Sequence, residues 1–170
     1  CEGMAFGIDP KVVEQVTKAV RKVTDKPVIV KLSPNVTDIV EIAKAVEAGG
    51  GNGVSLINTL LGMAIDIHRR KPVLGNIYGG LSGPAVKPVA LRMVHQVYKG
   101  VTIPIIGLGG IMTGTDAIEF MMAGAQAVQV GTATMVDPTA ISCIAREMSE
   151  YVEQHNLNSI TDIVGAVHQA

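Results

Sequence analysis

Tryptophan is absent from this sequence, and three tyrosines and two phenylalanines are all it holds of the large aromatic side chains. So few stacking surfaces exclude a platform for single-stranded nucleic acid. Two cysteines, Cys1 and Cys143, are too few for a disulfide framework, a zinc cluster or an iron–sulfur set. Their scarcity makes a reducing cytoplasm the expected location. An excess of either charge is missing as well, since 14 basic side chains face 15 acidic ones. Neither nucleic acid nor an anionic membrane is therefore an expected partner. No apolar run reaches the roughly 18 residues of a membrane span, and the first residues lack the basic and apolar regions of a secretory signal. A starting methionine is also lacking, so further chain is expected upstream of Cys1. His68, His95, His155 and His168 show no metal-ligand spacing, and no metal is expected.

What is present reads as one folded domain over residues 1–170, with 48% hydrophobic and 17% charged residues. The chain is short of the roughly 250 residues of a complete (β/α)8 barrel. Asp9-Pro10 reads as a helix cap with proline at the first turn, and Val12, Val13, Val16, Ala19, Val20 and Val23 follow at helical spacing. Residues 28–32 form a β-branched strand too apolar to face water on either side. Asp38 with Glu41 resembles a capping box opening a helix that ends at glycines 49–51. Strands are expected at 54–57, 103–107 and 127–130, with a helix at about 115–123. Asp137-Pro138 is expected to cap a helix carrying Ile141, Ile144, Ala145, Met148 and Val152, and Ser159 with Asp162 to open a last short one.

Four buried strands alternating with helices imply a parallel sheet with helices outside it. A doubly wound sheet and a (β/α)8 TIM barrel both fit. The polar residues favour the barrel: Lys31, Asn58-Thr59, Gly109-Gly110 and Gly131-Thr132 all follow the C-terminal ends of strands, where barrels place their chemistry. A hairpin over about residues 64–75, with Arg69-Arg70-Lys71 as its solvated tip, reads as an insertion lying over that face as a lid or rim.

Paired glycines after two successive strands permit close backbone approach and an anion cradle, although they also serve simple tight turns. Lys31 ends an apolar strand. Pointing inward, it would meet an anionic ligand; otherwise it is a snorkelling lysine at a strand end. Asn58 and Thr59 together offer donors and acceptors suited to a planar, imide-like substrate, or either caps the next segment. The glycines of residues 79–84 allow close approach to a ligand ring or phosphate, a weak signal by itself. His95, His155 and His168 read as helix-surface residues, Met112, Met121 and Met122 as core filler, and Cys143 as a helix-face residue.

Several stretches together resemble the class 1B, NAD-linked dihydroorotate dehydrogenases, specifically the catalytic subunit. They are Met4-Ala5-Phe6-Gly7, Val30 to Ile39, Ile57-Asn58-Thr59-Leu60, Gly79 to Pro84, Ile103 to Ile111, and Ala123 through Thr132. The likeness runs in order over nearly the whole chain. It implies the C-terminal part of a (β/α)8 barrel that binds flavin mononucleotide (FMN), with about four parallel strands. Lys31, Ile57 and Gly83 would contact the flavin, Gly109, Gly110, Gly131 and Thr132 would hold its phosphate, and Asn58 and Thr59 would bind the pyrimidine. The implied activity is an oxidoreductase acting on CH–CH groups, which converts dihydroorotate to orotate in de novo UMP biosynthesis by hydride transfer to FMN.

The family's general-base cysteine lies in a stretch just before the segment that begins here, so Cys1 is not that base and no catalytic residue is assigned in this chain. The resemblance further implies a homodimer of catalytic subunits within a heterotetramer. Its electron-transfer subunit would carry FAD and a [2Fe–2S] cluster and pass electrons to NAD. Rival expectations are a dihydropyrimidine dehydrogenase-type flavin domain, a phosphosugar isomerase-like barrel without flavin, and a non-catalytic phosphate-binding barrel fragment.

Overall fold

In the computed structural model, which describes residues 6–169, the helix after Asp9 begins at its sequence-encoded cap. The Asp9 carboxylate accepts the Lys11 N–H at 2.8 Å, and Pro10 opens α1 (Pro10–Arg21). Only Val13 and Thr17 of α1 are buried, and the Thr17 hydroxyl is satisfied by donating to the Val13 carbonyl at 2.7 Å. Val16, Val20 and Val23 remain exposed despite their helical spacing.

β1 (Ile29–Leu32) leads to α2 (Ile39–Ala48), and β2 (Gly53–Leu56) follows. Asp38 caps α2, but its carboxylate accepts from Val40 N–H at 2.7 Å, one residue short of the capping-box position. No reciprocal bond from Glu41 forms, so the expected box is a simple cap. The chain then leaves the sheet. β3 (Leu60–Met63) pairs antiparallel with β6 (Tyr78–Leu81), and between them β4 (Ile65–Asp66) pairs with β5 (Lys71–Pro72). The excursion is therefore deeper than the expected 64–75, because β3 and β6 both carry glycine, which weakens the sequence signal for strand.

A 3₁₀ turn (Pro84–Val86) runs into α3 (Lys87–Tyr98), then β7 (Ile105–Leu108) and α4 (Gly114–Met122). Thr113 and Asp116 form a true capping box at the start of α4. β8 (Ala127–Gln129), the short α5 (Thr132–Val136) and α6 (Ala140–Gln154) complete the main elements. Asp137 does not cap α6 directly. Its carboxylate accepts the N–H and hydroxyl of Thr139 at 2.8 and 2.7 Å, which makes a turn before the helix instead. Ser159 and Asp162 box the 3₁₀ segment Ile160–Ile163, and a final one covers Ala166–His168.

The sheet is wholly parallel in the order β1-β2-β7-β8. This alternation of parallel strands and covering helices is the architecture of a (β/α)8 barrel segment. The main core lies between sheet and helices, with Leu32, Ile42, Val46, Leu56, Val94, Ile105 and Phe120 almost fully buried. β1 departs from expectation. Ile29 and Lys31 are exposed and Leu32 is buried, so the strand faces helices on one side only. Among the described residues nothing covers its other face. His95 and His168 also differ from their expected surface roles: their rings stack at 4.1 Å, and His168 stacks on Tyr98 at 4.7 Å. The His168 Nε2–H donates to the Ala123 carbonyl at 3.0 Å, which ties the end of the described chain to α4.

Candidate functional site at the strand ends

Parallel pairing brings the C-terminal ends of the four strands to one edge of the sheet, and the loops that follow enclose a cavity of about 310 Å³. Lys31, Ile57, Asn58, Thr59, Gly83, Gly109, Gly110, Gly131 and Thr132 all line it. The positions that the resemblance assigns to cofactor and substrate are thus in one place. Leu81, Ser82, Leu108, Ile111, Gln129 and Met135 complete much of the wall. A second cavity of about 340 Å³ shares Lys31, Asn58 and Thr59 with the first and extends past Ser33, Asn35, Tyr78 and Gly80.

The glycine loops carry the most telling geometry. Gly109 and Gly110 have φ of 127° and 80°, values that L side chains rarely adopt. A Cβ on Gly110 would sit 2.8 Å from both the Gly83 carbonyl oxygen and the Lys87 nitrogen, so the two loops touch through backbone. Among the described residues, no protein acceptor takes the backbone N–H of Gly109, Gly110, Gly131 or Thr132. Unpaired amides at a cavity wall need water or a ligand to accept from them. Backbone amides left in this state beside one cavity suit an anion.

Ile57 is held at the rim by its own N–H, which donates to the Leu108 carbonyl at 2.8 Å, and the Leu56–Ile57 peptide is cis. The Asn58 N–H donates to the Leu32 carbonyl at 2.9 Å, which leaves the side chains of Asn58 and Thr59 exposed at the cavity. Neither side chain caps a following segment. Asn35, part of the Ser-Pro-Asn stretch but given no role in the sequence, does the positioning. Its Nδ2 donates to the Thr59 carbonyl at 3.1 Å, and its Oδ1 accepts from Leu61 N–H at 2.9 Å. Ser82 likewise has no role legible in the sequence; its hydroxyl accepts from the Thr132 hydroxyl at 3.0 Å, linking the loop before α3 to that after β8. Both are side-chain bridges across more than 20 residues of chain, for which no sequence spacing is diagnostic.

Lys31 lines both cavities, exposed and with no carboxylate partner among the described residues, which matches the inward placement rather than a lysine directed away from the face. One expectation needs correction. Gly79 and Gly80 belong to the strand β6 rather than to a loop, and they line the second cavity rather than the first. A Cβ on Gly80 would collide with Thr59 Oγ1, so the glycine makes room for the threonine. Among the described residues, no group of three or more His, Cys, Asp or Glu could hold a metal ion. No helix there is long and apolar enough to cross a membrane. Cys1, Glu2, Gly3, Met4 and Ala5 lie outside the described residues, so the first matching stretch is seen only at Phe6 and Gly7.

A parallel β/α sheet with glycine loops and polar side chains gathered beyond its strand ends defines the class: a segment of a (β/α)8 barrel bearing part of its functional face. Likeness to known proteins makes the assignment more particular. The dihydroorotate dehydrogenase family pattern matches residues 2–152, and the chain belongs to that family. A relative from Desulforamulus reducens, named dihydroorotate dehydrogenase B (NAD(+)), catalytic subunit, is 63% identical over 98% of this chain and 55% of its own length. Relatives of the same name from Alkaliphilus metalliredigens and Geobacter sp. strain M21 are each 60% identical over 97% of this chain, covering 55% and 54% of their own lengths. The chain spans about half the length of the curated relatives it matches. These names favour neither a dihydropyrimidine dehydrogenase-type domain, a phosphosugar isomerase-like barrel nor a non-catalytic fragment.

Proposed function

We propose that this chain supplies the FMN-binding and part of the substrate-binding face of a dihydroorotate dehydrogenase of the NAD-linked class. The observation that carries the reading is the meeting at one cavity of a lysine, an Asn-Thr pair and four backbone amides that have no protein acceptor among the described residues. The residues fit the group. The amides of Gly109, Gly110, Gly131 and Thr132 would donate to the phosphate, Gly83 and Ile57 would border the ring, and Lys31 would place an ammonium near it. When bound, FMN supplies the hydride acceptor for oxidation of a CH–CH bond.

The chain's own part is to bind, orient and balance charge. Lys31 adds a positive charge at a cavity otherwise lined by neutral groups, which favours a ligand that gains negative charge. Asn58 and Thr59, positioned by Asn35, offer an amide and a hydroxyl to a planar pyrimidine bearing alternating carbonyl and N–H groups. Dihydroorotate, with orotate as product, is the substrate that the relatives' names support. The words "catalytic subunit" and "NAD(+)" in those names support a further subunit and NAD as electron acceptor; the family resemblance adds FAD and a [2Fe–2S] cluster on that subunit and a pair of catalytic subunits.

The test is flavin binding followed by turnover in the full-length protein. FMN should bind and dihydroorotate oxidation should be measurable. Lys31→Ala should keep the flavin but lower turnover by about a hundredfold, the scale for removing one preorganised charge-stabilising group. A colourless protein that cannot be reconstituted with FMN, or unchanged turnover in Lys31→Ala, rejects the reading.

A further inference from the structure

The Lys87 side chain is committed to carboxylates rather than to the cavity. Its Nζ donates to Asp116 Oδ1 at 2.6 Å and to Glu119 Oε2 at 2.9 Å. The side chain of Asp116 is only 14% exposed, and its second oxygen accepts the backbone N–H groups of Met112 and Thr113 at 2.9 and 3.0 Å. One carboxylate therefore gathers the loop after β7, the first turn of α4 and the first residue of α3. The Lys87 backbone nitrogen is one of the atoms against which Gly110 is packed, and the Gly83 carbonyl is another.

The consequence is a division of labour among neighbouring amides. Met112 and Thr113 spend their N–H groups on Asp116, whereas those of Gly109 and Gly110, at the cavity wall, have no protein acceptor among the described residues. A loop with two glycines in the positive-φ region has many alternative conformations, and fixing it beforehand lowers the ordering cost of binding. We infer that Lys87 and Asp116 are positioning residues that clamp the Gly109-Gly110 loop, so that its amides present a preformed cradle to the ligand's phosphate. The clamp rests on the FMN reading above and gives this pair a role in phosphate recognition, without contact to the ligand. Its electrostatics agree. The hydrogen bonds that Lys87 donates to Asp116 and Glu119 hold its ammonium above its ordinary range, with burial opposing. Burial pushes Asp116 up, but Lys87 and the two amides outweigh it and hold the carboxylate below its ordinary value.

The clamp is tested by comparing FMN with riboflavin, which has the ring and lacks the phosphate. Affinities are measured by quenching of flavin fluorescence with full-length apoprotein, alongside thermal unfolding of each variant. Lys87→Gln and Asp116→Asn should weaken FMN about tenfold or more while changing riboflavin by less than about threefold; Lys87→Arg should restore FMN binding to within about threefold of wild type. Should either neutral variant fail to fold, Glu119→Gln removes one of the lysine's two partners at a more exposed position. It should weaken FMN by about two- to threefold and leave riboflavin unchanged. A parallel loss of FMN and riboflavin affinity, or unchanged FMN affinity in a folded variant, overturns the clamp and leaves the FMN reading intact. Wild-type protein that binds neither flavin overturns the reading, and the clamp with it.

Discussion

β2 and β1 are neighbours of equal length, paired in register from Ile29 with Gly53 to Leu32 with Leu56, yet their burial differs sharply. Every residue of β2 is buried, including Ser55, whereas β1 alternates and leaves Ile29 at 51% exposure. Local sequence does not account for this, since Ile-Val-Lys-Leu is at least as apolar as Gly-Val-Ser-Leu apart from its lysine. Position in the sheet does. β2 has β1 and β7 beside it, while β1 stands at the edge of the described sheet. Apolar content sets what a strand can bury, and its neighbours set what it does bury.

Core truncation breaks the contrast most readily. Leu56→Ala should cost about 3 kcal/mol, the usual range for a fully buried leucine, and Ile29→Ala about 1 kcal/mol or less because half the side chain is already in water. Urea unfolding measures both, and equal losses would remove the distinction between centre and edge. The glycine loops permit a sharper version of the same contrast. Gly110→Ala forces a Cβ to 2.8 Å from backbone at a φ of 80°, for a cost of about 1–3 kcal/mol and a large loss of FMN affinity. A Cβ at Gly131 would meet nothing within 4 Å, so Gly131→Ala should stay within about 0.5 kcal/mol of wild type.

A smaller effect separates the closed side of the sheet from the open one. Burial, then His168 and Lys99, holds His95 below its ordinary value of 6.5. The unfolded chain therefore takes up that proton more readily than the folded one. The neutral imidazole's contribution is intact above about pH 6.5 and falls away as pH drops below it. His95→Gln should make the melting temperature less sensitive to pH between about 7.5 and 5.5, by about 2 °C. A profile parallel to wild type would show that the stack with His168 tolerates the charge. The smallest change is expected at Lys31, which is exposed and without an ionic partner among the described residues: Lys31→Ala should leave stability within about 0.5 kcal/mol. Any larger loss would reveal a structural role that its surroundings do not suggest.

Much of the fold is legible in the sequence because its signals are local. Asp9-Pro10 and Ser159-Ile-Thr-Asp162 mark element starts within a few residues. The hairpin is less legible for the converse reason: Leu60 to Met63 and Tyr78 to Leu81 pair across a separation that propensity cannot register, with glycines in both strands. Asp137 shows that a cap residue can serve a turn just ahead of the helix it is expected to start. The site divides in the same way. Its glycines and strand-end polar residues stand in short recognisable stretches, whereas Asn35, Ser82, Lys87 and Asp116 act through partners far along the chain.

By itself, the sequence determined the alternation of strands and helices, several of their caps, and which residues could reach a common face, because side-chain period and turn chemistry act over a few residues. Only the tertiary structure decided which strands lie at the centre, which amides remain unpaired at the cavity, and which lysine meets a carboxylate. Those outcomes depend on contacts between distant segments, where burial and hydrogen bonding are settled by what arrives alongside rather than by what comes next in the chain.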